Sequence, residues 1–544
     1  MAPFIIAGIA VCIVMFIIIR TVRSRQAVDF YIRHSFGDAE RVKDDVLDRL
    51  DSIALFYEKE KENYSDSELV DDITWEDLDM KSVFFRVNHT DCFAGEQYLY
   101  SALHTLGSHV ALSEETISFF DGNEAKRNEV RRVLYSIGKP ISSYYSINSE
   151  EDIKDRYLPR RHIYPVLLAA LILSGALAAI LRSPAFAMLC ILIYLVNLVI
   201  CIFTKISYSG KLETLFCTGV TINGAFTLNE KLPEMSGSIA APLKKLKKAA
   251  RIISFLNMER SMTSSDDLLS SLLSYVTEPL FIKYILYNKG VSELADKTKE
   301  YLEVFRYVGG IDCSIAVASF RRSLSQFCVP EIREDRVLEF RGVFHPMLAD
   351  PVANDLMQSR SVIITGSNAS GKSTFIKAVA INLILAQTIC TCTAEYAYVP
   401  RCGVITSMAI RDDLLSGESY YIREIKYLKR MVELSDEGRL LFLAIDEILK
   451  GTNNTERVAA SKAVLRYFAE RNCMLMIATH DMEIARAFEG EFDNHHFCET
   501  LEDGEISFDY TIHDGMSRTS NAIRLLSVMG FPEKIVSDAM SELQ

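Results

Sequence analysis

The sequence predicts a doubly wound α/β domain in its C-terminal third and three membrane-spanning helices ahead of it. Three apolar, strand-like runs at 361–365, 440–445 and 474–478 alternate with helical patterns. This alternation is typical of a parallel sheet that carries helices on both faces. Three other stretches contain no charged residue and are long enough to cross a bilayer, which takes about 20 residues of helix.

The three uncharged stretches predict a multi-pass protein of the cell membrane. They are Phe4–Ile19, Ile163–Leu181 and Ser183–Thr204. Arginines follow the first stretch, whereas a cleaved signal peptide carries its basic residues before the apolar run. The other two stretches form a helical hairpin with basic residues on both outer flanks, and the alternative is a pair of hydrophobic soluble core helices. The positive-inside rule predicts that the N-terminus lies outside and the C-terminal domain lies in the cytoplasm.

Charge and cysteine content limit the possible partners. The net charge of −13 argues against a surface coated with positive charge for non-specific nucleic-acid binding. The twelve cysteines include no CxxC pair, which predicts neither a structural metal nor a disulfide framework. One dense basic segment is either a solvated helix face or a contact for DNA or anionic lipid. Its residues are Lys244, Lys245, Lys247, Lys248 and Arg251.

A glycine-rich segment between the first strand and a helical pattern matches the phosphate-binding pattern GxxxxGK[ST]. Its backbone N–H groups can surround phosphates at the positive end of a helix dipole. Lys372 is expected to reach the β- and γ-phosphates of ATP, and the Ser373 hydroxyl to bind Mg²⁺. The predicted nucleotide-binding residues are Gly366, Ser367, Asn368, Ala369, Ser370, Gly371, Lys372, Ser373 and Thr374.

Acidic and histidine side chains follow the next two strands. Asp446 and Glu447 end the second strand, and His480 follows the third. Because the carboxyl ends of parallel strands meet at one edge, Asp446 is expected to bind Mg²⁺ and Glu447 to activate water. His480 is expected to sense the γ-phosphate. The alternatives are a solvated helix start for the acidic pair and a structural role for the histidine.

A serine-containing segment, 412–420, opens the helical run Tyr421–Leu434. The structural alternative is that Ser416 or Ser419 only caps this helix. A serine at a helix N-terminus can also contact an anion, and a serine that faces no phosphate of its own subunit can face that of a partner.

In this order along the chain, the motifs resemble those of the MutS family of mismatch-repair ATPases, a branch of the ABC ATPase class. The resemblance rests on residues 345–348 and 354–355, the glycine-rich segment, 412–419, 446–452, 478–480 and 520–532. Weaker similarity extends upstream to 90–99, 310–316 and 329–330.

The resemblance implies a homodimer with two composite ATP sites. Each site would combine the glycine-rich segment of one subunit with Ser419 of the other. Lys372, Glu447 and His480 would be catalytic, and Ser373 and Asp446 would hold Mg²⁺. Pro351 stands where the family has an aromatic residue that packs on adenine, and a mismatch-reading segment is not found.

The resemblance and the membrane segments together predict five regions. These are a transmembrane helix (1–22), a helical MutS-core-like region (23–160), a transmembrane hairpin (161–205), a helical core and lever region (206–330), and a MutS-like ATPase domain with a C-terminal helical dimerisation segment (331–544). The predicted function is ATP-driven conformational change, and DNA binding stays open. The alternatives are a component of an ABC-type transporter, since Leu415–Ser419 faintly resembles its signature, and an ATP-switched membrane scaffold without DNA binding.

Overall fold

The chain combines a helical region with a following region of mixed α/β sheets. The computed structural model describes residues 15, 19, 22–39, 49–106, 112–140, 156–235, 237–263, 277–367, 370–408, 420–449, 454–502, 505–516 and 530–541. Most of the predicted first membrane segment, Phe4–Ile19, lies outside the described residues.

Helices make up the part of the chain before the first strand. Local signals fix their ends: Asp71 Oδ1 accepts from Thr74 N at the start of one helix (2.8 Å), and Gly138 ends another with a φ of 67°. The described helices are α1 (22–34), α2 (Leu50–Glu60), α3 (Asp72–Asp77), α4 (Met80–Val87), α5 (Phe93–His104), α6 (Glu114–Gly122), α7 (Glu124–Ile137), α8 (Ile163–Leu181), α9 (Pro184–Lys231), α10 (Ala240–Thr263), α11 (Ile282–Ala295) and α12 (Thr298–Arg322).

The close approach of α5 and α12 forms the centre of the helical region. A Cβ atom added to Gly95 would lie 2.1 Å from Asp312 Oδ2, so only glycine leaves room for this carboxylate. Asp312 in turn accepts from the backbone N–H groups of Asp91 and Cys92, at 3.0 and 2.8 Å. The 90–95 and 312 motifs therefore form one buried contact between two helices.

Two described helices, α8 and α9, are long and apolar enough to cross a membrane. The apolar parts are Ile163–Leu181 and Pro184–Tyr208, of which 17% and 11% are buried within the chain. This exposure argues against the alternative of soluble core helices, whose apolar residues would be covered. After a non-helical residue at Tyr208, α9 continues to Lys231 and packs against α7, α10 and α12.

The main sheet has six strands in the order β12-β9-β4-β8-β7-β6. Strands β9, β4, β8, β7 and β6 run parallel, and β12 is antiparallel to β9. Strands β4, β7 and β8 lie within one residue of the three predicted runs. The six strands of this sheet are β4 (Val362–Thr365), β6 (Gly403–Ser407), β7 (Leu441–Asp446), β8 (Cys473–Thr479), β9 (Asp493–His496) and β12 (His513–Asp514).

Smaller sheets and further helices complete this region. A four-stranded sheet, which the sequence does not predict, has the order β1-β5-β2-β3, and β10 pairs with β11. The strands are β1 (Glu331–Arg333), β2 (Leu338–Val343), β3 (Asn354–Gln358), β5 (Tyr396–Pro400), β10 (Glu499–Glu502) and β11 (Glu505–Phe508). The helices are α13 (Lys372–Ile389), α14 (Tyr420–Ser435), α15 (Asn454–Ala469), α16 (Met482–Ala487) and α17 (Glu533–Ser541).

Candidate nucleotide site

The glycine-rich loop lies between β4 and the start of α13, as the sequence predicts. Gly366 and Gly371 have φ values of 143° and 102°, which L-residues with side chains rarely adopt. A Cβ atom on Gly366 would lie 2.6 Å from the Phe497 carbonyl oxygen, and one on Gly371 would lie 3.1 Å from Tyr510 Cδ1. The two glycines therefore allow the loop to fit tightly against the 497–510 segment.

Lys372 is the first residue of α13 and is almost fully buried. Its Nζ donates to the carbonyl oxygens of Gly366 and Ser367, at 2.6 and 2.5 Å. The Ser370 hydroxyl also donates to the Ser367 carbonyl (2.8 Å), and the Ser367 hydroxyl donates to Glu499 Oε2 (2.8 Å). The lysine thus lies at the positive end of the helix dipole and contacts the loop that precedes it.

Asp446, Glu447 and His480 lie at the carboxyl ends of β7 and β8, next to the glycine-rich loop. Thr365, the last residue of β4, is level with Thr479, and Asp446 is level with Ala478. Because β8 lies between β4 and β7, Asp446 is about two strand spacings, or roughly 10 Å, from the strand that enters the loop. This edge is the one where doubly wound sheets bind their ligands.

Glu447 and His480 are directly hydrogen-bonded. Their Oε1 and Nδ1 atoms are 2.8 Å apart, while Glu447 N donates to the Ala478 carbonyl oxygen at 2.9 Å. Glu447 has a φ of 62°, a left-handed conformation that costs about 1–3 kcal/mol in a residue with a side chain. Backbone strain of this kind concentrates at functional sites, and here it falls on the predicted catalytic carboxylate.

A cleft of about 390 Å³ opens beside the loop. Ser373 and Thr374 of α13 line one side, and burial lowers the pKa of His345 at the cleft to about 4. The histidine is therefore neutral at physiological pH. The remaining lining is mainly apolar and aromatic: Val343, Phe344, Leu348, Asp350, Val352, Asn354, Gly371, Phe375, Ala378, Phe497 and Tyr510.

Tyr510 is a residue of the cleft that the sequence analysis missed. It has a φ of 52°, and Asn354 holds it by donating from Nδ2 to the Tyr510 carbonyl oxygen (3.0 Å). Asn354 Oδ1 also accepts from Ile512 N (2.8 Å). Tyr510 therefore brings an aromatic ring to the cleft from a segment distant in sequence, although Pro351 stands where the resemblance predicts the aromatic residue that packs on adenine. Asn354, noted only as a motif residue, explains how that segment is held.

Several predicted residues lie outside the described part of the chain. They are Asn368 and Ala369 of the loop, Ser416 and Ser419 before α14, Gly451 and Thr452, and the 520–523 motif. The role of Ser419 in a second subunit therefore stays a prediction, as do the catalytic and magnesium-binding roles of the residues described above.

Comparison with known proteins points to the same segment. Residues 362–544 match the family model of MutS domain V. This region is similar to MutS domain V. The matched residues include the glycine-rich loop, Asp446, Glu447 and His480, so the geometry and the family match concern one site.

Curated MutS proteins also match this chain. The DNA mismatch repair protein MutS of Thermotoga maritima is 29% identical over 268 residues, which cover 47% of this chain and 33% of that protein. The DNA mismatch repair protein MutS of Thermus aquaticus is 31% identical over 212 residues, which cover 38% of this chain and 26% of that protein. These matches support membership of the MutS family. The chain spans only a quarter to a third of the length of these relatives.

Proposed function

We propose that this chain is a membrane-anchored, MutS-like ATP hydrolase that converts nucleotide binding into a conformational change. The observation that carries the proposal is the position of Lys372. It starts a helix directly after the glycine-rich loop, while Asp446, Glu447 and His480 lie at the ends of adjacent parallel strands. Such an arrangement binds a triphosphate and places a carboxylate near its terminal phosphate.

The residues of the site fit ATP with Mg²⁺. The loop offers backbone N–H groups with no Cβ atom at Gly366 or Gly371, and the aromatic cleft beside Ser373 offers a surface for the base. Mg²⁺, held by Ser373 and Asp446, would neutralise phosphate charge. Lys372 would exchange its carbonyl contacts for phosphate oxygens, which are stronger, charged acceptors.

Glu447 and His480 supply the acid–base chemistry in this proposal. Glu447 takes the proton of the attacking water, and His480 orients the carboxylate through the 2.8 Å contact. His480 is half exposed, so its ring can also contact the γ-phosphate. The hydrogen bond from Glu447 N to the Ala478 carbonyl oxygen holds this residue at the strand end.

The helical region provides a route from the nucleotide site to the membrane. Arg321 of α12 donates to Thr391 Oγ1 and the Cys390 carbonyl oxygen, just beyond the end of α13, at 2.9 and 2.6 Å. It also forms an ion pair with Glu114 at 2.6 Å. Helix α12 packs on α9, whose other end is the apolar hairpin. A shift of α13 would therefore move helices that reach the bilayer.

The proposal includes a homodimer in which Ser419 of the partner completes each site, and a cell-membrane location with the ATP site in the cytoplasm. The relatives are named as DNA mismatch repair proteins, which makes DNA the first ligand to test. Within the basic segment on α10, Lys245 and Lys248 form ion pairs with Glu300 and Glu293. These pairs favour the solvated helix face over a dedicated DNA contact. The transporter alternative finds no support among the relatives named here.

Lys372→Ala tests nucleotide binding directly. We expect the full chain in detergent to lose ATP binding, whereas Lys377→Ala, five residues further along the same helix, binds as the unchanged protein does. Unchanged ATP affinity in Lys372→Ala would refute the assignment of the phosphate-binding loop.

Glu447→Gln tests the catalytic carboxylate. We expect ATP to bind but not turn over, with more dimer at equilibrium, because the amide keeps the shape of the side chain but cannot accept the proton. Turnover is measured by phosphate release and dimerisation by light scattering, with Glu456→Gln as the control. Continued turnover in Glu447→Gln would exclude this residue as the base.

A further inference from the structure

Three side chains with metal-ligating atoms converge beside the nucleotide cleft. They are Cys498, Asp509 and His513, and their ligand atoms all lie within 4.8 Å of one another. His513 Nε2 is 2.9 Å from Asp509 Oδ2, and Cys498 Sγ is 3.9 Å from the same oxygen. None of the three has a role in the proposed hydrolysis.

Strand pairing places two of these ligands, and a backbone hydrogen bond orients the third. His513 lies on β12 opposite His496 of β9, and Cys498 follows two residues after His496. Thr511 N donates to Asp509 Oδ1 at 3.0 Å, so one carboxylate oxygen is oriented and Oδ2 faces the other two ligands. Hydrogen bonds of this kind orient the ligands of metal sites.

The type and spacing of the ligands fit zinc. Zinc binds sulfur, imidazole nitrogen and carboxylate oxygen at about 2.0–2.3 Å in a tetrahedron, which places ligand atoms roughly 3–4 Å apart. A thiolate and a carboxylate together balance the charge of Zn²⁺. The Cys498 proton would pass to solvent on binding, and water would take the fourth position.

We propose that Cys498, Asp509 and His513 bind one zinc ion that ties together the two segments walling the nucleotide cleft. Phe497 adjoins Cys498 and Tyr510 adjoins Asp509, and both aromatic residues line the cleft. The ion would therefore fix the distance between these two rings. The ligands follow no CxxC spacing, which is why the sequence predicts no structural metal.

The test measures metal binding without nucleotide, so its result does not depend on ATP hydrolysis. The full chain in detergent is reduced, stripped with a chelator and dialysed against Zn²⁺, and the zinc content is measured by mass spectrometry. We expect one zinc ion per chain, lost in Cys498→Ala and His513→Ala. Cys390→Ala and His34→Ala, which change the same residue types elsewhere, should retain it.

Two further measurements guard against misfolded variants. Asp509→Asn keeps the side-chain shape but removes the charge, and should also lose zinc while its circular dichroism is unchanged. Co²⁺ should produce a sulfur-to-cobalt absorption band in the unchanged protein and in Cys390→Ala, but not in Cys498→Ala. A band that persists in Cys498→Ala, or an unchanged protein that takes up no zinc after reduction, would overturn the proposal.

Discussion

Arg131 and Arg132 are sequence neighbours whose ion pairs differ mainly in burial. Arg131 pairs with Asp91 at 2.7 Å, and the two side chains are 1% and 0% exposed. Arg132 pairs with Asp29 at the same distance, but the side chains are 43% and 44% exposed. Replacing each arginine by methionine therefore compares one contact type in two environments.

The buried pair should be far more sensitive to substitution. Arg131 donates twice to Asp91 and once each to the Ser35 hydroxyl and the Ile32 carbonyl oxygen. Arg131→Met leaves the Asp91 charge buried without this partner, which typically costs about 3–5 kcal/mol. Arg132→Met removes a solvated pair worth about 0–1 kcal/mol.

Hydrogen exchange of the full chain in detergent measures this difference locally. A change of about 1.4 kcal/mol alters an equilibrium constant tenfold. Amides of α5 and α7 that open together should therefore exchange roughly 10² to 4 × 10³ times faster in Arg131→Met. Helix α1 should lose protection as well, because Arg131 contacts Ile32 and Ser35. In Arg132→Met, exchange should change by less than about tenfold.

Equal effects of the two substitutions would refute the reasoning. The double variant Asp91→Asn/Arg131→Met adds an internal check, because removing both charges should recover part of the loss. A double variant as damaged as the sum of the single variants would show that the two side chains do not act as a pair.

Three other predictions concern α5, α12 and the cleft. Burial, together with the Asp91 charge, raises the pKa of Asp312 from 3.8 to about 6. The folded state therefore favours the protonated carboxyl group, whose contribution to stability is full below about pH 4. This contribution, about 3 kcal/mol, is lost as the pH rises through about 6. Urea unfolding of Asp312→Asn should lack this dependence on pH, and an unaltered profile would contradict the assignment. Gly95→Ala should lower the free energy of unfolding by more than about 4 kcal/mol, because the added Cβ atom displaces the Asp312 carboxylate. A smaller loss in the same urea experiment would show that α5 and α12 separate easily. Asn354→Ala should weaken ATP binding by about fivefold in a calorimetric titration, since the Tyr510 segment loses a half-buried hydrogen bond worth about 1 kcal/mol. Asn472→Ala, at an exposed site, is the control, and equal affinities would contradict the role of Tyr510.

The parts of the fold that the sequence predicts share a local signal. Strands β4, β7 and β8 are buried along nearly their whole length, so each appears as a continuous apolar run. A glycine-rich motif and charged strand ends then fix where the loop and the carboxylates lie. These features depend on neighbouring residues, and the observed boundaries agree within one residue.

The parts that the sequence does not predict depend on distant partners. Strand β3 alternates buried and exposed residues over five positions, and β5 pairs with both β1 and β2, which lie far ahead of it. Tyr510 lies at the cleft, where the distant residue Asn354 donates to its carbonyl oxygen. Likewise, the Cys498, Asp509 and His513 group has no recognisable spacing. Such groupings arise from tertiary packing, which short patterns do not encode.

The continuation of α9 beyond its kink at Tyr208 has a practical consequence for work with this protein. Leu212, Phe216 and Leu228 belong to the same helix as the hairpin, yet they are packed in the interior with at most 4% exposure. Deleting the apolar segment together with the rest of this helix would remove a wall of the helical region. A water-soluble version would lose the first predicted span, residues 1–22, as well as the hairpin. The hairpin would be removed by cutting between Tyr208 and Lys211 and rejoining the chain to the residues that precede Ile163.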